Sequence, residues 1–548
     1  MRPLAAILLV ALLAVAYLAA VNDHWAVRPD SGYYLGLGRS LAEGRGMEFN
    51  GRQEWGFPPV VPLAIAGCRL LAGPRLWPVN LVMTLFGLGV IALAAPAIRR
   101  LAGGLPGRPA GGAAVGLRAG AAGFRPDEAG AAVLVAASAQ LFNASTRVLT
   151  DVPFTFLVVL GVYGFARARQ GHWSWLLAGS LAMAAATWTR LPGVVLWGGL
   201  ALGTLVDARP PGYLKRLLAT AAGGALVLGA LAAWMLLLRS RADPGTLDYL
   251  RAARQLDYDF LSWAKWAKVG QALLNLPRAV SGVLMDQELH GVSLAPTALA
   301  LVGLWTLARG RQWIVVMPIA LYIAFLASLG PSAVAERYFL PILPLVAYAL
   351  VVGVRTVAVW AAAARAAWRG RRRAAEAAGP TRRAWAVPLA VGLCVAVSLP
   401  KIGRTIYWMR HGDFYGRFDH GKWADAVALG RALGERGRPG TDRVVAPWFT
   451  IIHYLSRLET TSVYSPAEPR ADRYTQAPPE DLARAAVAGG YRFVVVPAGA
   501  GEWSEAAAAG LKGTGQFRDP PERFGRLLLF ERAATAGNLP GEPPPAPP

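Results

Sequence analysis

Charge is scarce in this 548-residue chain: Asp, Glu, Lys and Arg make up 16% of it, against 55% hydrophobic. That imbalance excludes an ordinary soluble enzyme of this length. Cysteine is nearly missing. Cys68 and Cys394 each sit inside an apolar stretch, which leaves no support for a disulfide framework or a thiolate metal site. Lysine is rare too, since arginine supplies 50 of the 56 cations. The net charge, 56 − 33 = +23, would suggest nucleic acid in a soluble chain. Here the cations sit in short clusters between long apolar runs, the pattern of membrane topology, and no nucleic-acid partner is expected. No G-x-G-x-x-G follows a strand pattern, no Walker sequence is present and no internal repeat is visible.

What is abundant is hydrocarbon in runs. A span needs about 20 apolar residues, and charge-free windows of roughly 15 to 22 residues predict eleven spans. They are Pro3 to Val21, Pro78 to Ile98, Ala129 to Thr146, Val152 to Ala166, Trp173 to Thr189, Leu191 to Val206, Leu217 to Leu238, Val292 to Ala308, Trp313 to Ser332, Tyr338 to Val354 and Ala384 to Pro400. Basic residues in short loops stay on the cytoplasmic side. The loops from Arg99 to Arg125, Arg167 with Arg169, Arg209 to Arg216, Arg309 with Arg311, and Arg365 to Arg383 therefore face inward. Parity then requires Phe57 to Leu71 not to cross, and its prolines at 58, 59 and 62 suit a re-entrant or interfacial helix on the outer side. The first window, with its single Arg2 and long apolar run, favours a retained anchor over a cleaved signal peptide.

Past Pro400 the pattern becomes water-soluble. Lys422 to Gly434 and Pro479 to Ala488 have helical spacing, while Arg443 to Phe449, Tyr491 to Pro497 and Arg526 to Phe530 read as strands. The expected fold is a polytopic α-helical membrane domain over residues 1–400, with outer juxtamembrane helices, a small exoplasmic α/β domain over 401–535 and a disordered Pro-rich tail over 536–548, ending GEPPPAPP.

With that topology, Asp30, Asp151, Arg190, Glu336 and Arg337 all land near the outer boundary of the spans. Ionisable groups at the edge of hydrocarbon are costly unless they pair or serve a ligand, so these positions are candidate functional residues. For Asp151, beside Pro153, a helix N-cap is the plainer reading. For Arg337 it is an ion pair with its neighbour Glu336. Asp30 sits in RPDSGYYLGLGRSLAEGRG, ahead of Tyr33 and Tyr34, followed by WGFPPVVP, LTDVPF at Asp151 and ERYFLPILPL at Arg337.

In that order these motifs resemble the GT-C superfamily of polyprenyl-phosphate-sugar glycosyltransferases, in particular its protein O-mannosyltransferase and aminoarabinose transferase branch. The resemblance spans roughly the first 350 residues, by the positions of motifs that are each short and weak alone. It implies an acid in the first outer loop acting on the acceptor, at the position of Asp30, and a second outer-loop acid at Asp151. Family members carry lysine or histidine before the paired prolines, whereas this chain has Phe57 before Pro58 and Pro59. The implied activity is inverting transfer of a hexosyl or pentosyl group from a polyprenyl-phosphate donor to a glycan, lipid or protein acceptor. The implied location is a bacterial inner (plasma) membrane, with the C-terminal domain on the exoplasmic or periplasmic side.

The chemistry asks for such residues on its own account. Transfer to a hydroxyl needs a base, and one carboxylate suffices for a single inverting displacement, which makes Asp30 the catalytic candidate with Asp151 beside it. A leaving phosphate is matched by guanidinium forks, at Arg337 first, then Arg190 and Arg254. Tyr33, Tyr34 and Trp55 are placed to stack on a sugar. Glu288 and His290, in MDQELHGV, offer a second acid or a metal ligand, so a divalent cation stays open although the metal signature is poor. The stretch DYLRAARQLDYDFLSWAKWAK, with Trp263 and Trp266, reads as an interfacial helix among membrane lipids. Two other functions remain: a transporter or flippase, which would be expected to carry charge near mid-membrane, and a non-catalytic cell-envelope assembly protein whose outer acids merely cap helices.

Overall fold

The structure is a computed structural model that describes residues 3–103, 126–170, 172, 174–207, 213–241, 263–285, 294–329, 334–368, 385–411, 423–462, 478–499 and 501–533. The chain divides into two compact units. One comprises Met1–Ala26, Pro58–Ser240 and Leu256–Gly412; the other comprises Val27–Phe57, Arg241–Gln255 and Asp413–Pro548.

In chain order the described helices begin with α1 (Pro3–Ala19) and α2 (Pro29–Ala42). The short strands β1 (Glu48–Phe49) and β2 (Arg52–Gln53) follow, then α3 (Val60–Ala72), α4 (Trp77–Gly103), α5 (Pro126–Ala136), α6 (Ala139–Ser145), α7 (Asp151–Ala168), α8 (Ser174–Thr187), α9 (Gly193–Val206) and α10 (Tyr213–Arg241). Next come α11 (Trp263–Leu274), α12 (Leu276–Leu284), α13 (Leu294–Arg309), α14 (Trp313–Leu329), a 3-10 segment over Glu336–Ile342, α15 (Leu343–Trp368) and α16 (Ala386–His411). The remainder holds α17 (Ala424–Arg436), β3 (Arg443–Ala446), α18 (Phe449–Ser456), β4 (Glu459–Ser462), α19 (Pro479–Ala488), β5 (Phe493–Pro497), α20 (Glu502–Gly513), β6 (Glu522–Phe524) and β7 (Leu527–Glu531).

The first unit is helical, and its apolar residues face outward as well as inward. Leu214, Leu218, Leu228 and Leu236 along α10 are all exposed. Each would cost about 1.5–3 kcal/mol in water, and hydrocarbon removes that cost. Five helices are long and apolar enough to cross a bilayer, namely Trp77–Ala102, Asp151–Ala168, Tyr213–Arg241, Glu336–Arg365 and Ala386–Arg410, with six shorter apolar helices among them. The chain is a multi-pass membrane protein. Without a hydrophobic drive between helices in lipid, close backbone approach takes over. At the α13–α15 crossing a Cβ on Gly303 would run into the Ala349 carbonyl, and one on Gly353 into that of Leu299.

Two predicted spans have different limits. The window from Ala129 to Thr146 is two helices, because Ser138 interrupts it: its hydroxyl accepts the Leu141 N–H at 3.1 Å as the N-cap of α6 and donates to the Val283 carbonyl at 2.6 Å. The window ending at Pro400 continues to His411 as α16, since an apolar helix tolerates the one backbone bond that an internal proline removes. One segment of the first compact unit ends at Gly412.

The second unit contains a five-stranded sheet in the order β4-β3-β5-β7-β6. β3 pairs parallel with β4 and β5, and β7 pairs antiparallel with β5 and β6. Phe493 to Val496 of β5 are buried without alternation because both faces of the sheet are covered. Leu482 and Ala486 of α19 and Leu511 of α20 pack on one face with Val445, Val494 and Val496. Leu429 and Leu433 of α17 and Ile452 of α18 pack on the other with Val444, Phe493 and Val495.

Candidate functional site

The membrane unit gathers three of the candidate residues around one tyrosine. Asp151 is the first residue of α7, after the N-cap Thr150. Arg190 lies in the turn between α8 and α9. Its Nη1 meets Asp151 Oδ1 at 2.5 Å, with the two side chains 23% and 4% exposed. The Arg190 guanidinium also lies 5.2 Å from the centre of the Tyr338 ring. From the other direction Arg337 lies 4.6 Å from the same ring and donates from Nη2 to the Tyr338 hydroxyl at 2.5 Å. The 3-10 segment that carries this pair is held by Tyr322 of α14, whose hydroxyl donates to the Tyr338 carbonyl at 2.9 Å.

Two guanidinium groups thus share one phenol. Asp151 neutralises Arg190, and among the described residues no ion pair joins Arg337 to Glu336, so the expected structural pair at that position is not formed. The arrangement presents cationic hydrogen-bond donors on a rigid aromatic support, which is the chemistry of oxyanion recognition. For Asp151 the geometry changes the expectation. Its Oδ1 is engaged with Arg190 and the carboxylate is buried, which suits orienting the guanidinium more than taking a proton from a substrate. Tyr338 and Tyr322 were missed in the sequence because each looks like any aromatic in a span.

Asp30 lies in the second unit, exposed in the first turn of α2. Ser31 sets the start of that helix by accepting the Arg28 N–H at 3.0 Å and donating to the Arg28 carbonyl at 2.6 Å. The helix is fastened to α18. The Thr450 hydroxyl donates to the Pro29 carbonyl at 3.0 Å, and Arg39 donates to the Tyr454 carbonyl at 3.1 Å. Gly32 permits this approach, since a Cβ there would stand 2.8 Å from the Thr450 carbonyl oxygen.

The β1–β2 hairpin turns through Asn50 and Gly51, at φ 58° and 75°, as the tight turn between two-residue strands requires. Its Asn50 amide caps the edge strand β4 in both directions, donating to the Thr460 carbonyl and accepting the Thr460 N–H, each at 2.7 Å. The Asn50 N–H donates to His453 Nε2 at 3.3 Å, which leaves the proton on Nδ1, 2.7 Å from the Leu458 carbonyl. Burial of that neutral ring pushes the His453 pKa down to about 4. Residues 27–57 are therefore part of the C-terminal fold, although up to 421 positions separate the bonded partners.

The same packing corrects the expectation for Tyr33 and Tyr34. Tyr33 is 5% exposed and Tyr34 7%. The Tyr33 ring lies against Phe49 and Phe57, each 4.4 Å between centres, and Phe449 at 5.9 Å, so its faces are taken by core contacts and not available to a sugar. Phe57, in the place before the paired prolines, is a member of this aromatic cluster. Arg254, Glu288 and His290 lie outside the described residues. Among the described residues no three His, Cys, Asp or Glu side chains gather in a way that could hold a metal ion.

A helical membrane unit with short apolar helices, ionisable residues at helix ends and an appended α/β unit defines a GT-C type fold. The structure is similar to that of ArnT from Cupriavidus metallidurans bound to undecaprenyl phosphate, with a TM-score of 0.59 and 17% identity over 96% of this chain and 98% of that one. The apo form of the same protein gives 0.60 at 17% identity, with the same coverage. The archaeal oligosaccharyltransferase AglB from Archaeoglobus fulgidus, in complex with an inhibitory peptide and a dolichol-phosphate, gives 0.50 at 13% identity, over 90% of this chain and 69% of that one. Residues 118–238 match the family described as Dolichyl-phosphate-mannose-protein mannosyltransferase, a stretch that includes Asp151 and Arg190. No curated protein matches the chain by sequence. The resemblance to the GT-C superfamily carried by the ordered motifs is borne out.

Proposed function

We propose that this protein is a membrane glycosyltransferase that moves a sugar from a polyprenyl-phosphate-linked donor to an acceptor. The observation that carries the reading is the pair of guanidinium groups on Tyr338, with the Asp151 carboxylate orienting one of them. Three things support it: the GT-C fold, the match of residues 118–238, and structural neighbours solved with undecaprenyl phosphate or dolichol-phosphate.

In this reading Arg337 and Arg190 hold the donor phosphate. As the bond from the anomeric carbon to the phosphate oxygen breaks, charge accumulates on the leaving phosphate, where fixed donors need no reorganisation. Inverting transfer in one displacement needs a base that takes the proton of the acceptor hydroxyl as that oxygen attacks the anomeric carbon, and the motif around Asp30 nominates that carboxylate. In this reading these residues lie on the exoplasmic side of a bacterial inner membrane, with the C-terminal unit outside; the distribution of basic loops in the sequence supports the orientation. Asp151 and Arg190 sit at helix ends and not at mid-span, which counts against a carrier.

The test is competition between undecaprenyl phosphate and undecaprenol for the purified protein in mild detergent. A preference for the phosphate of at least tenfold, about 1.4 kcal/mol, that disappears in Arg337→Ala is expected. Equal affinity for alcohol and phosphate would refute the assignment.

A further inference from the structure

A second cluster of opposite charges lies at the other end of the membrane unit and plays no part in the reading above. Asp127 and Glu128 occupy the first turn of α5, which follows the arginine-rich stretch after α4. Arg355 of α15 reaches Asp127 Oδ2 at 2.7 Å, and Arg99 reaches Glu128 Oε2 at 3.4 Å. Beside them is a cavity of about 330 Å³. Its polar wall holds Asp127, Glu128, Arg355 and the hydroxyls of Thr306 and Thr356, which stand 3.3 Å apart. Its apolar wall includes Val352 and Trp360.

The surroundings fix the level of this cavity in the bilayer. Trp305 and Trp360 meet edge-on at 5.9 Å and are about half exposed, and Arg309 lies 3.9 Å over the Trp305 ring. Aromatic rings with cations at the end of apolar helices mark the headgroup region. The volume is at the low end of ligand pockets, which run to about 300–1,000 Å³, and suits a headgroup better than a whole lipid.

The charges select among headgroups. Glu128 is buried, its side chain 4% exposed, whereas the Arg355 side chain is 62% exposed. A headgroup with phosphate alone would compete with Asp127 for Arg355 and leave that carboxylate beside an anion, while Glu128 keeps its pair with Arg99. One that also carries a primary ammonium meets both signs.

We propose that this cavity binds the headgroup of a zwitterionic aminophospholipid, its phosphate on Arg355 and its ammonium on the carboxylates of Asp127 and Glu128. The site lies apart from Tyr338 and its arginines and takes no part in the proposed sugar transfer.

Native mass spectrometry of the full chain, delipidated and then offered vesicle-derived phosphatidylethanolamine, phosphatidylcholine or phosphatidylglycerol, tests it. The ethanolamine lipid is expected to be retained about tenfold better than the other two, a preference worth about 1.4 kcal/mol. The trimethylated ammonium cannot donate hydrogen bonds, and the glycerol headgroup has no cation. Glu128→Gln should remove the preference, and Val352→Phe should lower retention by narrowing the cavity without touching a charge. Phosphatidylglycerol binding as well as phosphatidylethanolamine, or both variants retaining the lipid as the unaltered chain does, would overturn the proposal.

Discussion

Converting Asp151 to Asn keeps the outline of the side chain and removes the charge that holds Arg190 in place. Breaking a buried ion pair from one side costs about 3–5 kcal/mol, chiefly because the remaining charge stays desolvated. Arg190 is 23% exposed and keeps its ring contact with Tyr338, so the lower end of that range, about 3 kcal/mol, is expected. Arg190→Gln should cost a similar amount. The informative quantity is the coupling. If the two residues stabilise each other, the double variant loses much less than the sum, and a coupling of about 2–3 kcal/mol follows. It is measured from unfolding midpoints of the four proteins in mixed micelles, followed by tryptophan fluorescence. A coupling under about 0.5 kcal/mol would show that the pair contributes no more than a surface bridge and would remove the orienting role given to Asp151.

Three further outcomes are expected. Asp30→Asn should abolish sugar transfer in purified membranes while leaving undecaprenyl phosphate binding and the unfolding midpoint unchanged, because Asp30 is exposed; undiminished transfer would exclude it as the base. His453 has a folded-state pKa below its unfolded value, so its contribution to stability is complete above about pH 6.5 and is lost as pH falls toward 4. The unfolded chain takes up a proton that the folded ring refuses, worth about 3 kcal/mol at the acid end of that window. Unfolding of the second unit in the full chain should show this slope and His453→Gln should flatten it, whereas equal slopes would assign the pH dependence elsewhere. Asn50→Ala loses both hydrogen bonds to Thr460 and puts at φ 58° a residue that tolerates the left-handed region less well than Asn, for a cost of about 2 kcal/mol; faster hydrogen exchange along β4 is the readout, and unchanged exchange would mean the hairpin does not protect that edge.

Much of the helical architecture was legible because long apolar runs report membrane helices directly. In the C-terminal region the helix Pro479–Ala488 and the strand Phe493–Pro497 stand near where periodicity put them, since both are buried with clear spacing. Strand β4 was not legible: its sequence, ETTS, is polar, and Thr460 and Thr461 are buried because the Asn50 hairpin and neighbouring strands cover them. The Ser138 break was hidden because an apolar window looks the same whether it holds one helix or two. At the candidate site the charged residues stood out, but the tyrosine that organises them did not, because nothing local separates Tyr338 from a lipid-anchoring aromatic. The fastening of residues 27–57 to the C-terminal fold rests on pairings across most of the chain, which leave no periodic trace.

The central claim is that Arg190 and Arg337, mounted on Tyr338, receive a polyprenyl phosphate. A cryo-electron-microscopy map of the protein saturated with undecaprenyl phosphate addresses it most directly. The account predicts phosphate density within hydrogen-bond reach of both guanidinium groups, with Asp151 still paired to Arg190. Phosphate density placed elsewhere, with the tyrosine and its arginines unchanged and no ligand against them, would contradict it.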